Sequence, residues 1–160
     1  MQTAMAHDGT IRDDERWMQR CLELAQQAAA ADEVPVGALV VLDGVVVGEG
    51  RNRVEAQRSP LAHAELEAVQ QALATVGAKR LPGAVLYCTL EPCFLCAGAI
   101  LHARIARVVF GARDPKFGAV RSLANVLEDP RLNHRCHVAE GVGAAASAEM
   151  LRAFFRGKRG

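Results

Sequence analysis

The stretch AVLYCTLEPCFLCAGAILHARIARVVF, residues 84–110, decides how this chain folds. Residues 84–89 read as a strand, Pro92 opens a helix running to about His102, and residues 107–110 read as a strand again. Upstream, residues 37–42 and 45–48 are β-branched runs joined by Asp43-Gly44. That dipeptide suits a two-residue hairpin turn, so the two runs are expected as antiparallel strands. Residues 13–31 repeat apolar side chains at three- and four-residue steps (Trp17, Cys21, Leu24, Ala25, Ala28), the period of a helix. Ser59-Pro60 predicts a helix start, with Ser59 as N-cap, and Gly77 its end after Val76. Residues 111–130 look irregular, 137–140 suit a short strand, and 144–156 suit a closing amphipathic helix. The alternation implies an α/β domain with one mixed five-stranded sheet and helices on both faces.

A length of 160 residues fits one domain, and 51% hydrophobic with 23% charged residues is the balance of a globular protein. Residues 1–160 are therefore read as a single domain, with a flexible segment over about 1–12 and a basic tail over about 157–160. Arg152, Arg156, Lys158 and Arg159 load the C-terminal end with positive charge, suited either to solvent or to phosphate. The net charge of +1 neither favours nor excludes nucleic acid. The N-terminus lacks the apolar stretch of a secretory signal, and no run approaches the ~20 apolar residues of a membrane span. Five cysteines, an odd number with one C-x-x-C pair, suggest reduced thiols and a metal site in a cytoplasmic protein.

Two short motifs carry chemistry: His63-Ala64-Glu65 and Pro92-Cys93-Phe94-Leu95-Cys96. Zinc prefers tetrahedral nitrogen and sulfur ligands. Cys93 and Cys96, three apart at a helix start, share a face, and the exposed N–H groups there favour thiolates. His63 would be the third ligand. On a regular helix, however, residues two apart point about 200° away from each other. His63 and Glu65 can meet in one pocket only if the helix end presents one from the side, or if the metal lies close to the axis. Three protein ligands leave a fourth position for water, the mark of catalytic zinc, and give Glu65 the job of proton transfer. A redox C-x-x-C or a structural zinc knuckle remains the alternative. The latter needs a fourth ligand, for which Cys88, His102 and Cys136 are available.

His-x-Glu followed by Pro-Cys-x-x-Cys resembles the signature of the cytidine-deaminase-like zinc deaminases. Flanking segments resemble, within them, the bacterial tRNA-specific adenosine deaminases: Glu33 to Ala38, Gly48-Glu49-Gly50, Asn52-Arg53, Leu90-Glu91, Ala97-Gly98-Ala99, residues 107–114, Asn133-His134-Arg135 and Phe154-Phe155-Arg156. The resemblance implies a three-layer α/β/α sandwich of the CMP/dCMP-type deaminase domain. It implies one Zn2+ per subunit on His63, Cys93 and Cys96, with Glu65 as catalytic acid and base. It also implies a homodimer that converts the wobble adenosine of a tRNA anticodon stem-loop to inosine by hydrolysis. Asn52, Val36, Ala64, Asp114, Lys116, Phe155 and Arg156 are the substrate contacts it suggests. Arg51 and the Phe94-Leu95 pair depart from the usual pattern without touching a ligand. Two rival functions stand beside this one: deamination of a free base or nucleotide such as guanine or cytosine, and a non-catalytic zinc-stabilised RNA-binding domain.

Overall fold

The computed structural model describes the backbone of residues 2–159 and the side chains of residues 10–159. Helix α1 (Gln2–Ala30) leads into strands β1 (Gly37–Leu42) and β2 (Val45–Arg51), a one-turn helix α2 (Val54–Gln57) and helix α3 (Ala64–Val76). Strand β3 (Val85–Leu90), helix α4 (Phe94–His102), strand β4 (Arg107–Ala112), strand β5 (His137–Glu140) and helix α5 (Ala144–Arg159) follow. The strands form one sheet in the order β2-β1-β3-β4-β5. The β1 pairings are antiparallel, and β3-β4-β5 run parallel. This is the expected mixed five-stranded sheet.

Alternation along the strands explains the three layers. Ala38, Val40, Leu86, Cys88, Val108 and Phe110 point to one face and pack with Ala64, Ala68 and Ala72 of α3 and Ala97 and Ile100 of α4. Their neighbours Leu39, Val41, Tyr87 and Val109 point to the other face, against Met18, Cys21 and Leu24 of α1. Asp14, buried on α1, accepts hydrogen bonds from the Tyr87 hydroxyl (2.8 Å) and the Arg107 guanidinium (2.9 and 2.7 Å), fixing α1 to β3 and β4. On α5, the buried Ser147 hydroxyl donates to the Thr89 carbonyl at 2.7 Å. Gly48 and Gly50 let α3 lie directly on β2: a Cβ on either would overlap the carbonyl of Ala68 or Ala64.

Several sequence expectations shift. The hairpin turn forms at Asp43 and Gly44 with φ of 52° and 76°, and Gly77 caps α3 at φ 73°. Helix α1 extends upstream to Gln2, so residues 2–12, expected as a loose lead-in, continue it. The stretch over residues 157–159, expected as a tail, is the last turn of α5, while Gly160 lies outside the described residues. Ser59 does not cap α3. Its hydroxyl accepts from the nearby Leu61 N–H at 3.1 Å, and α3 begins later, after His63. Likewise α4 begins at Phe94 with Cys93 as N-cap, one residue beyond Pro92. Among the described residues, no helix is long and apolar enough to cross a membrane.

Candidate active site

His63 and Cys93 occupy equivalent positions on two helices. Each is the N-cap residue, with extended backbone (φ −81°, ψ 147° for His63; φ −77°, ψ 177° for Cys93), and neither uses its side chain as a cap. The angular objection to H-x-E therefore dissolves. His63 stands outside the helix and only Glu65 lies within its first turn, so the helical step of about 100° per residue does not separate them. Asn52 takes over the missing cap: its side-chain oxygen accepts the Ala64 N–H at 3.0 Å. Its carboxamide N–H group is what it can offer a ligand. Ala64 is itself fully buried at the start of α3.

The potential ligand atoms of His63, Cys93 and Cys96 lie within 4.8 Å of one another. His63 Nδ1 is 3.6 Å from Cys93 Sγ and 3.4 Å from Cys96 Sγ. Tetrahedral zinc, with its usual bond lengths, would hold a ligand nitrogen and sulfur about 3.5 Å apart. The cluster thus fits a zinc ion by chemistry and by spacing. Among the described residues it holds three side chains, not four. Cys88 is buried in the core beneath α3 and α4, its thiol directed at the Val109 carbonyl, and the Cys136 thiol donates to the Ile105 carbonyl at 3.0 Å. Neither joins the group, and neither does His102.

Electrostatics inside the cluster is uneven. A hydrogen bond from Cys96 pulls the Cys93 thiol down to about 4, against the burial that opposes it, and pushes Cys96 upward. His63 is raised, chiefly by its hydrogen bond to Cys93. Glu65 is 5% exposed, and burial raises its pKa despite the countering influence of Cys96 and His63. A carboxyl raised in this way is suited to proton exchange near neutral pH.

These residues open onto a cavity of about 840 Å³. It lies where β3 ends and α3 and α4 begin, outside the carboxyl end of the parallel part of the sheet, where ligands bind in open α/β folds. His63, Glu65 and Cys93 line it together with Val36, Asn52, Leu90, Asp114, Phe117, Phe154 and Lys158. Of the expected contacts, Val36, Asn52 and Asp114 line the cavity; Ala64, Lys116, Phe155 and Arg156 do not. On α5 the helical phase turns Phe154 and Lys158, four apart, inward. Phe155 stays 44% exposed, and Arg156 pairs with Glu149 at 3.0 Å. The departures also lie aside: Arg51 donates to Gln27 at 3.2 Å, and Phe94 and Leu95 are exposed.

Two residues of the site carry no role in the motif reading. Glu33, buried, accepts the Glu55 and Ala56 N–H groups at 2.9 and 2.8 Å and pins α2 beside the cavity. Glu91, 2% exposed, accepts N–H groups of Asp114 (3.0 Å), Val120 (3.1 Å), Arg121 (2.7 Å) and Ser122 (2.8 Å), and the Ser122 hydroxyl at 2.5 Å. The only hint in the sequence is a carboxylate set between apolar residues, Leu90-Glu91-Pro92.

Comparison with known proteins agrees with this geometry. The family model for MafB19-like deaminases matches residues 12–159. A tRNA-specific adenosine deaminase of Agrobacterium fabrum is 46% identical over 143 residues, covering 89% of this chain and 94% of that relative. One of Bacillus subtilis is 42% identical over 146 residues, 91% of each. A solved structure from work on A-to-I editing by tRNA:A34 deaminases at the wobble position of transfer RNA superposes with a TM-score of 0.81 at 44% identity, covering 85% of this chain and 99% of that one. A guanine deaminase from Nitrosomonas europaea superposes at 0.77 with 27% identity, over 88% and 83%. The chain belongs to the MafB19-like deaminases and, among them, to the family of the bacterial tRNA-specific adenosine deaminases.

Proposed function

We propose that this protein hydrolyses adenosine to inosine at the wobble position of a tRNA anticodon loop. The observation that carries the reading is a three-donor cluster with nitrogen–sulfur spacings of 3.4 and 3.6 Å beside a buried glutamate, in a chain 46% identical to a tRNA-specific adenosine deaminase. The guanine deaminases that match are less similar, one at 27% identity over 88% of this chain and one of Bacillus subtilis at 38% over only 62% of it, which favours the RNA substrate over a free base.

His63, Cys93 and Cys96 would hold the zinc ion. Such an ion supplies a nucleophilic water near neutral pH by lowering its pKa. Glu65 accepts the proton from the attacking water and passes it to N1 of adenine, making C6 electrophilic. The C6–O bond forms, Glu65 then takes the remaining proton from the C6 hydroxyl and hands it to the amine, and the C6–N bond breaks to leave ammonia and the C6 carbonyl of inosine. Val36 and Leu90 give the base an apolar slot, and the Asn52 carboxamide N–H group can donate to the target nucleotide. A buried site requires the base to leave its stack, which an unpaired loop allows at low cost. The working unit of this proposal is a cytoplasmic homodimer with one zinc per subunit; exposed Leu61, Phe94 and Leu95 are apolar surface available to a second copy.

The test is purified protein incubated with an anticodon stem-loop carrying a wobble adenosine, and separately with free guanine and cytosine. Inosine in the RNA by mass spectrometry, with no ammonia from the free bases, is expected. Ammonia from a free base alone would reverse the assignment.

A further inference from the structure

Residues 113–122 form a loop over the cavity, and its polar organisation is concentrated at one group. The Glu91 carboxylate accepts from main-chain N–H groups at both ends of the loop, Asp114 at one and Val120, Arg121 and Ser122 at the other. Gly118 packs so closely on that carboxylate that a Cβ there would overlap it. The loop is also joined to the ligand segment: Gly118 bridges Cys93, and the Ala119 N–H donates to the Pro92 carbonyl at 2.9 Å. At its tip, Asp114 Oδ1 accepts the N–H groups of Lys116 and Phe117 at 3.1 and 3.2 Å. What this tethered loop presents is an aromatic ring. Phe117 is 65% exposed, the most exposed of the large apolar side chains described, and yet it lines the cavity.

A benzene ring left in water at a cavity mouth, on a backbone held from below at several points, is a preorganised stacking surface. We propose that Phe117 stacks on an unpaired nucleobase adjacent to the target adenosine, and that Glu91 and Ser122 act as positioning residues that hold the ring in place. This rests on the RNA reading above. Stacking accepts any base, so Phe117 contributes affinity for a neighbouring nucleotide without fixing its identity.

The test measures RNA affinity with the zinc-loaded protein, so that it reads binding and not turnover. Three stem-loop RNAs are used, one intact and two with an abasic site at one or the other nucleotide flanking the wobble adenosine. Phe117→Ala should weaken binding of the intact loop about tenfold, and leave one of the abasic loops bound as by the unaltered protein. Phe117→Trp should restore binding. Ser122→Ala, which removes one donor from the Glu91 cluster without cutting the core, should weaken binding about threefold, with no further loss when combined with Phe117→Ala. In turnover assays KM should rise while kcat stays put. Unchanged binding by Phe117→Ala, or equal loss on every RNA, overturns the stacking proposal; additive losses in the double variant overturn the positioning role. An unaltered protein that binds the loop but forms no inosine breaks the functional reading alone. One that binds no loop breaks both.

Discussion

Glu65 and Glu91 are two glutamates buried to nearly the same degree, 5% and 2% exposed, each two residues from a proposed zinc ligand, and their surroundings drive them in opposite directions. Glu65 is raised because burial prevails over the few groups that favour its charge. Burial also pushes Glu91 up, but it is packed less deeply among neighbouring atoms, and the Ser122 hydroxyl and several N–H groups together outweigh burial and lower its pKa. Donors aimed at the carboxylate and a smaller desolvation penalty together decide the outcome. One glutamate is thereby left ready to take up a proton, and the other is kept ionised as a structural anchor. Exchanging each for glutamine should break the molecule in different ways.

The largest effect belongs to Glu65→Gln. Glutamine keeps the shape and cannot exchange the proton, so kcat should fall by about a thousandfold or more, within the range for losing general acid–base catalysis. Zinc content, measured by metal analysis, should stay at one per chain. Loss of zinc together with activity would make Glu65 a ligand instead.

Glu91→Gln should cost stability. Hydrogen bonds to a charged acceptor contribute roughly 1.5–3 kcal/mol each, and glutamine keeps one acceptor oxygen, so a net loss of about 2 kcal/mol is expected. Denaturant unfolding of the metal-free protein measures it. The same experiment on Glu65→Gln should show the opposite sign, because a carboxyl raised above 4.5 loses stability on ionising as pH rises through its folded value. A gain in stability at pH 7, shrinking as pH falls below the folded value, is the expected outcome. Equal destabilisation of the two variants would erase the distinction between them.

The comparison also explains what could be read in advance. Strands β1 and β5 fall where alternation and β-branched runs placed them, the hairpin turns at Asp43-Gly44, and α3 stops at Gly77. Those signals are local: a turn needs a positive φ, and a half-buried strand needs its period. Both helix starts were misplaced for one physical reason. The N-cap positions are held by His63 and Cys93, residues that form no side-chain cap, while Ser59 and Pro92 carry ordinary start signals a few residues upstream. The clustering of His63, Cys93 and Cys96 was legible because metal chemistry restricts the type and spacing of the residues that could serve it. Glu91 was not, since its partners lie 23 to 31 residues further along and all but the Ser122 hydroxyl are backbone groups, which no side-chain pattern marks. Phe154 and Phe155 show a subtler limit. Adjacent on one helix, they differ by a single step of phase, and only packing decides which ring turns inward.

Acid offers the smallest and most local separation of the two glutamates. The folded pKa of Glu91 lies below its ordinary value of 4.5, so its contribution is complete above that value and is lost as pH falls through the lower one. Arg113 and Glu140, paired at 2.7 Å beside the same loop, weaken in the same direction, since Glu140 is also lowered by that pairing. Glu65 moves the other way and loses nothing on acidification. Residues 113–122 should therefore open before the sheet does. Amide exchange at Val120, Arg121 and Ser122 should quicken as pH falls below about 4.5, after correction for the intrinsic pH dependence of exchange, while the β3 and β4 amides stay protected. Loop and sheet amides losing protection together would mean that Glu91 is an integral part of the global fold, and that the two glutamates differ in charge state but not in what they hold.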